Sequence, residues 1–125
     1  MVDSRRELAP SLDSRELMID VLSGYPKGVG IEIATRTMNP QLIVCDEIGD
    51  VTEARAILGA VNCGVSVLAS AHGRGVCDVF RREGLAEMHR AHVFGAYVGI
   101  KRRRYDYIYD VATWGEADAL FKNIG

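Results

Sequence analysis

The sequence predicts an α/β domain: a mainly parallel sheet with flanking helices and a β-hairpin at the C-terminal end. Three observations carry that expectation. Leu42-Ile43-Val44-Cys45 is an apolar run without alternation, the pattern of an interior strand covered on both faces, and Val65 to Ala71 is a second such run. Between them lies a helical pattern with its own start and stop signals, so strand, helix, strand reads as the crossover unit of a parallel sheet. Near the end, Val93 to Ile100 and Tyr105 to Val111 are β-patterned stretches joined tightly by Lys101-Arg102-Arg103-Arg104, which is the layout of a hairpin with a solvated turn.

Taken in order, Val2-Asp3 reads as the last step of a strand and Ser4-Arg5-Arg6-Glu7 as the loop beyond it. Asp13 or Ser14 caps a short helix through Met18, and Ser23 to Gly28 is a loop by its turn residues. From Gly30 to Met38 the apolar positions Ile31, Ala34 and Met38 recur at helical spacing, and Asn39 before Pro40 is biased out of the helical region. After the first apolar strand, Asp50-Val51-Thr52-Glu53 fits a capping box. Ala54, Ile57, Leu58 and Val61 then make one apolar stripe, and Gly64 supplies a left-handed terminator. Gly75 to Glu83 predicts a helix with Val76, Val79 and Phe80 inward, stopped by Gly84, and Leu85 to Arg90 one further turn. Tyr105, Tyr107 and Tyr109 share one face by strand alternation; such a ribbon stacks bases or, more commonly, packs on a neighbouring helix. Glu116 to Lys122 closes the chain as a short helix.

The totals narrow the class. At 125 residues the chain fits one domain, residues 1–125, and its hydrophobic share of 48% and charged share of 26% are those of a water-soluble globular protein. No apolar run approaches the roughly 18 residues that span a bilayer, and Asp3, Arg5, Arg6 and Glu7 replace the apolar core of a signal peptide, so a cytoplasmic location is expected. Cys45, Cys63 and Cys77 lack the paired spacing of a zinc site and read as reduced core thiols. His89 and His92 read as surface or cap residues. The formal charge of −2 argues against a generally basic nucleic-acid binder, so nucleic acid is an unlikely partner.

Chemistry concentrates where the first apolar strand ends. Ligands bind at the carboxyl edge of a parallel sheet, and Asp46 and Glu47 leave the core there. An aspartate so placed suits Mg²⁺ bridging nucleotide phosphates, and a glutamate beside it suits orienting and deprotonating water, the division of labour in a Walker B segment. The plainer reading is a strand ending in solvated acids. If Val65 to Ala71 lies parallel and adjacent, Ser70 and His72 reach the same edge, where a polar group would sense a terminal phosphate; the plainer role for His72 is to cap a turn. A phosphate-cradling loop needs Gly-Lys followed by Ser or Thr, and Lys27, Lys101 and Lys122 all fail that pattern, so the chain contains no P-loop.

Four segments, Val2 to Ala9, Asp20 to Lys27, Met38 to Gly49 and Ala69 to Gly73, taken in this order resemble successive motifs of the stage III sporulation protein AA family. The resemblance implies a RecA-like P-loop NTPase core related to the ATPases of type II and type IV secretion, here without its N-terminal P-loop strand and helix. It implies ATP and Mg²⁺ as cofactors, a homo-oligomeric ring, a hexamer by analogy, and membrane channel proteins of a sporulation or secretion apparatus as partners at the inner face of a membrane. Carried over by motif, Asp46 takes the metal role and Glu47 the catalytic one, His72 and Glu7 join the catalytic group, and Ser70 and Arg5 contact the nucleotide. Lys27 matches a family lysine of unassigned duty. With no P-loop ahead of Val2, this stretch alone is expected to bind ATP weakly and to expose a sheet edge. A non-catalytic ring-assembly module and a helicase-type ATPase fragment are the rival readings.

Overall fold

The computed structural model describes residues 1–3, 22–23 and 25–123. The sequence-predicted helix from Asp13 or Ser14 to Met18, and the loop bearing Arg5 and Glu7, lie outside the described residues.

Four short parallel strands form one sheet: β1 (Val2–Asp3), β2 (Leu22–Ser23), β3 (Leu42–Cys45) and β4 (Ser66–Ala69), in the spatial order β2-β1-β3-β4. Strands β3 and β4 run in register over their full length, from Leu42 opposite Ser66 to Cys45 opposite Ala69. Their crossover is α2 (Val51–Asn62), whose start follows the sequence: the Glu53 amide donates to Asp50 Oδ1 at 2.7 Å, and Glu53 Oε2 accepts from the Gly49 amide at 2.8 Å. Gly64, with φ of 84°, turns the chain into β4.

The helix before β3 starts earlier than its glycines suggest. Helix α1 spans Lys27–Ile33, and Lys27 to Gly30, expected in a loop and at a helix start, form its first turn behind Pro26. Proline has no amide hydrogen to lose at a helix entrance and its φ is already helical. Gly30 is needed for a close approach, since a Cβ there would stand 2.8 Å from Val2 Cγ1. Residues Ala34–Met38 widen into a π-type turn in which Thr35 and Thr37 hydroxyls donate to the Ile31 and Ile33 carbonyls. Asn39, with φ of 47°, ends it before Pro40.

Beyond β4 come α3 (Val76–Val79) and α4 (Glu83–Arg90), then the hairpin β5 (Ala96–Arg102) and β6 (Tyr107–Thr113), and α5 (Trp114–Lys122). Gly84 does not stop a helix; it lies in the first turn of α4, where a side chain would strike the Asp50 carbonyl at 2.8 Å. The glycine is there for contact between α4 and the start of α2.

The core joins Val2, Ile43 and Cys45 of the sheet to Ile31 and Ala34, to Ala54, Ile57 and Ala60 of α2, and to Leu85 and Met88 of α4. Burial along β3 alternates, because the helices cover the face bearing Ile43 and Cys45, while Leu42 on β3 and Leu68 on β4 are exposed. Covering of both faces, expected from the apolar run, does not hold for these strands. The thiols divide in the same way: Cys45 is buried, whereas Cys63 and Cys77 are exposed at the C-terminal end of α2 and on α3, contrary to the expectation of three core thiols. Burial pushes the Cys45 thiol up to about 11, with Lys27 opposing the shift. Two thiols are therefore expected to react with a maleimide at pH 8 in the folded protein and the third only after unfolding; three fast-reacting thiols would contradict this packing.

Candidate functional site

The end of β3 and the end of β4 are tied together atom by atom. Pairing of Cys45 with Ala69 sets Asp46 and Glu47 beside Ser70, and the amide of Ser70 donates to the Cys45 carbonyl at 3.2 Å. In return the Ile48 amide donates to the Ser70 carbonyl at 2.9 Å, and the Glu47 amide donates to Ser70 Oγ at 3.1 Å. His72 Nε2 stands 3.0 Å from Glu47 Oε1. Four of the six residues predicted for the site, Asp46, Glu47, Ser70 and His72, thus converge on one edge. Arg5 and Glu7 lie outside the described residues.

The two acids differ in setting. Asp46 is buried, and its Oδ1 is enclosed without a hydrogen-bond partner among the described residues. A buried carboxylate oxygen lacking a donor is costly unless a cation or a bound group satisfies it. Glu47 is partly exposed at the mouth, where the solvent-facing His72 imidazole meets its carboxylate. Its backbone has φ of 45°, a left-handed conformation that disfavours a long side chain by roughly 1 kcal/mol or more and persists only where neighbours enforce it.

Lys27, a residue of no assigned role in the sequence pattern, is one such neighbour. Its buried ammonium donates to the Glu47 carbonyl at 2.7 Å and lies 3.9 Å from Glu53 Oε1. The same Glu53 carboxylate accepts from the Gly49 amide, so the turn from Glu47 to Asp50 is held between one lysine and one glutamate. Ser70 clamps the amide side of Glu47 and Lys27 the carbonyl side. Replacing Lys27 by methionine keeps the stem but strands the Glu53 carboxylate and the carbonyl, and is expected to cost about 3 kcal/mol in urea unfolding. A loss under about 0.5 kcal/mol, the size of an ordinary surface change, would contradict the clamp.

The loop after β4 is anchored as well. The Arg82 guanidinium donates to the His72 carbonyl, and the Arg74 amide donates to Asp78 Oδ2 at 3.0 Å. No cluster of three or more His, Cys, Asp or Glu suited to a metal exists among the described residues. Asp46 Oδ1 can offer one ligand, which suits Mg²⁺ held largely by nucleotide phosphates and water rather than a closed protein cage.

One histidine was misread from the sequence. His89, expected at the surface, is fully buried: Nδ1 lies 2.8 Å from the Tyr97 hydroxyl, Nε2 lies 3.1 Å from Asp118 Oδ1, and the ring packs against Phe80, Trp114 and Phe121. Burial and Asp118 push the Tyr97 hydroxyl up to about 12, so it keeps its proton at neutral pH. A consistent set of donors runs from Tyr97 O–H to Nδ1 and from Nε2–H to Asp118. The group lies in the junction of α4, the hairpin and α5 and serves packing there. Only the aromatic residues scattered from Phe80 to Phe121 hinted at it.

The family described as Sporulation stage III, protein AA matches residues 6–107. The chain belongs to this sporulation stage III protein AA family. Over 109 residues it is 34% identical to stage III sporulation protein AA of Bacillus subtilis (strain 168), a match covering 83% of this chain and 36% of that protein. The chain thus spans about a third of the length of that relative. No solved structure matches it. The match to the family takes in the Asp46-Glu47 edge, Ser70, His72 and Lys27, and it ends within β6 at Tyr107, so the remainder of β6 and α5 lie beyond it. Among the described residues no helix is long and apolar enough to cross a membrane.

Proposed function

We propose that this member of the sporulation stage III protein AA family is part of an ATPase motor domain with a RecA-like core, acting in sporulation to drive assembly or transport by a channel at the inner face of a membrane. One observation carries the reading: the orphaned, buried Oδ1 of Asp46 lies at the carboxyl edge of a parallel sheet, one residue before a glutamate held in a left-handed conformation. A buried carboxylate oxygen with no partner among the described residues suits a Mg²⁺-nucleotide site.

In this reading Asp46 holds Mg²⁺, which when bound with ATP neutralises charge on the phosphate oxygens. Glu47 is placed to orient a water and accept its proton, and its strained backbone fixes where the carboxylate points. His72 meets that carboxylate, Ser70 holds the Glu47 amide beside it, and Arg82 links the His72 loop to the start of α4. The resemblance to secretion ATPases supports, in the same reading, a homo-oligomeric ring and membrane channel proteins as partners. In this reading a P-loop segment would supply the phosphate-binding amides.

The experiment is a fluorescent-ATP titration, with and without Mg²⁺, on the chain carrying a P-loop strand and helix ahead of Val2. Mg²⁺ is expected to tighten binding, and Asp46→Asn to remove most of that Mg²⁺ effect. Equal Mg²⁺ dependence in Asp46→Asn would exclude Asp46 as the metal ligand, and no nucleotide binding by the P-loop-bearing chain would favour a non-catalytic assembly module.

A further inference from the structure

The hairpin presents a face that nothing in the site uses. By its antiparallel register Val98 lies opposite Val111, Ile100 opposite Tyr109, and Arg102 opposite Tyr107, so these six side chains share one side of the ribbon. The five apolar ones are each 52–68% exposed. The opposite side is anchored at its base, where Tyr97 reaches the buried His89, so the exposed face is fixed in orientation. Packing of Tyr107 and Tyr109 on a helix, expected from the alternation, is not what the ribbon does.

At the tip β5 ends on Lys101 and Arg102 and the chain turns through Arg103 to Asp106, so the joint expected over Lys101 to Arg104 lies two residues later. Among the described residues the only carboxylate paired with this run is Asp106, which takes the Arg103 guanidinium in two bonds of 2.7 Å. Arg104 lies over the ring of Tyr105, which is 89% exposed. The chain as a whole is formally −2, so the run is a local positive excess on an acidic protein. An anionic surface would attract the tip and repel the rest, bringing the ribbon to it so that the exposed face can lie along it.

We infer that the β5–β6 ribbon lies with this face on an anionic lipid surface, its basic tip among the headgroups and its Val98, Ile100, Tyr107, Tyr109 and Val111 side chains at the boundary between headgroups and acyl chains. Charge complementarity selects the anionic partner, and the aliphatic residues select lipid over nucleic acid: bases stack on aromatic rings, whereas Val98, Ile100 and Val111 offer them no π-face. The proposal stands independently of the ATPase reading, because none of its residues touches the Asp46 edge.

The test is co-sedimentation of the full chain with vesicles of 30% phosphatidylglycerol in phosphatidylcholine and with vesicles of phosphatidylcholine alone. Each cation near an anionic surface is worth about fivefold in partitioning. The double change Lys101→Glu and Arg102→Glu is thus expected to weaken binding at least about 25-fold, and 0.5 M salt to weaken wild type strongly. Ile100→Asn, an exposed change that leaves folding intact by circular dichroism, is expected to weaken binding about tenfold. Tyr109→Trp is expected to shift its emission to the blue on the anionic vesicles only. Equal binding to both vesicles, insensitivity to charge reversal, salt-sensitive binding to an oligothymidylate without vesicle binding, or Ile100-dependent dimerisation without vesicle binding would each overturn the proposal.

Discussion

Glutamine in place of Glu47 is expected to lower ATP turnover about 10²–10⁴-fold in the chain carrying a P-loop segment, with nucleotide affinity close to that of the unchanged protein. The geometry makes this a clean substitution. The Glu47 backbone is held from both sides, by Ser70 on its amide and Lys27 on its carbonyl. Glutamine keeps an oxygen at the position that meets His72 Nε2 while removing the negative charge and the capacity to accept a proton. Steady-state phosphate release and nucleotide titration together check it. Retained turnover would remove Glu47 from the mechanism, while a parallel loss of affinity would mean that it supports binding rather than chemistry.

The largest effect on stability is expected at His89. Alanine there would empty a fully buried site, leave the Tyr97 hydroxyl and Asp118 carboxylate without their partner, and remove the ring that stacks on Trp114. The sum is about 4 kcal/mol, read as a fall in the urea midpoint. The near-UV signal of Trp114, whose indole N–H donates to the His89 carbonyl at 2.9 Å, reports the same loss locally. A change below about 1 kcal/mol, the middle of the range for arbitrary substitutions, would contradict His89 as the tie between α4 and the C-terminal elements.

Acid should act on the same junction. Burial alone would raise the Asp118 carboxyl, but hydrogen bonds from Lys122 and His89 outweigh it and hold it below the usual carboxylate range. A depressed folded value means that the contribution is present above the unfolded value, near pH 4, and is lost as pH falls through the folded one. Asp118→Asn is therefore expected to flatten the decline in stability below about pH 4.

What the sequence made legible was local or periodic. The capping box of Asp50 and Glu53 is written in four consecutive residues, and it forms as expected. The meeting of Glu47 with Ser70 and His72 follows from two apolar strands and one crossover, because parallel pairing in register leaves their carboxyl ends together. What escaped depends on contacts between distant elements. The burial of His89 is decided by residues up to 32 positions away in Phe121, and nothing in Met88-His89-Arg90 announces it. Lys27 reads as a loop lysine because glycines surround it, yet one of them, Gly30, lets α1 close on Val2, and the Lys27 ammonium reaches the Glu47 carbonyl. Cys63 and Cys77 sit in apolar surroundings in sequence but on exposed sides of their elements. The hairpin's alternation was readable, though not which side would remain uncovered.

In the proposed site Asp46 and Glu47 lie against Mg²⁺-nucleotide. The most direct measurement of this is the paramagnetic broadening that Mn²⁺ and a non-hydrolysable ATP analogue impose on the amide spectrum of the chain carrying a P-loop segment. The amide signals of Asp46, Glu47 and Ser70 are predicted to vanish while those of Val98 and Tyr109 persist; bound nucleotide that leaves Asp46 and Glu47 sharp would contradict it.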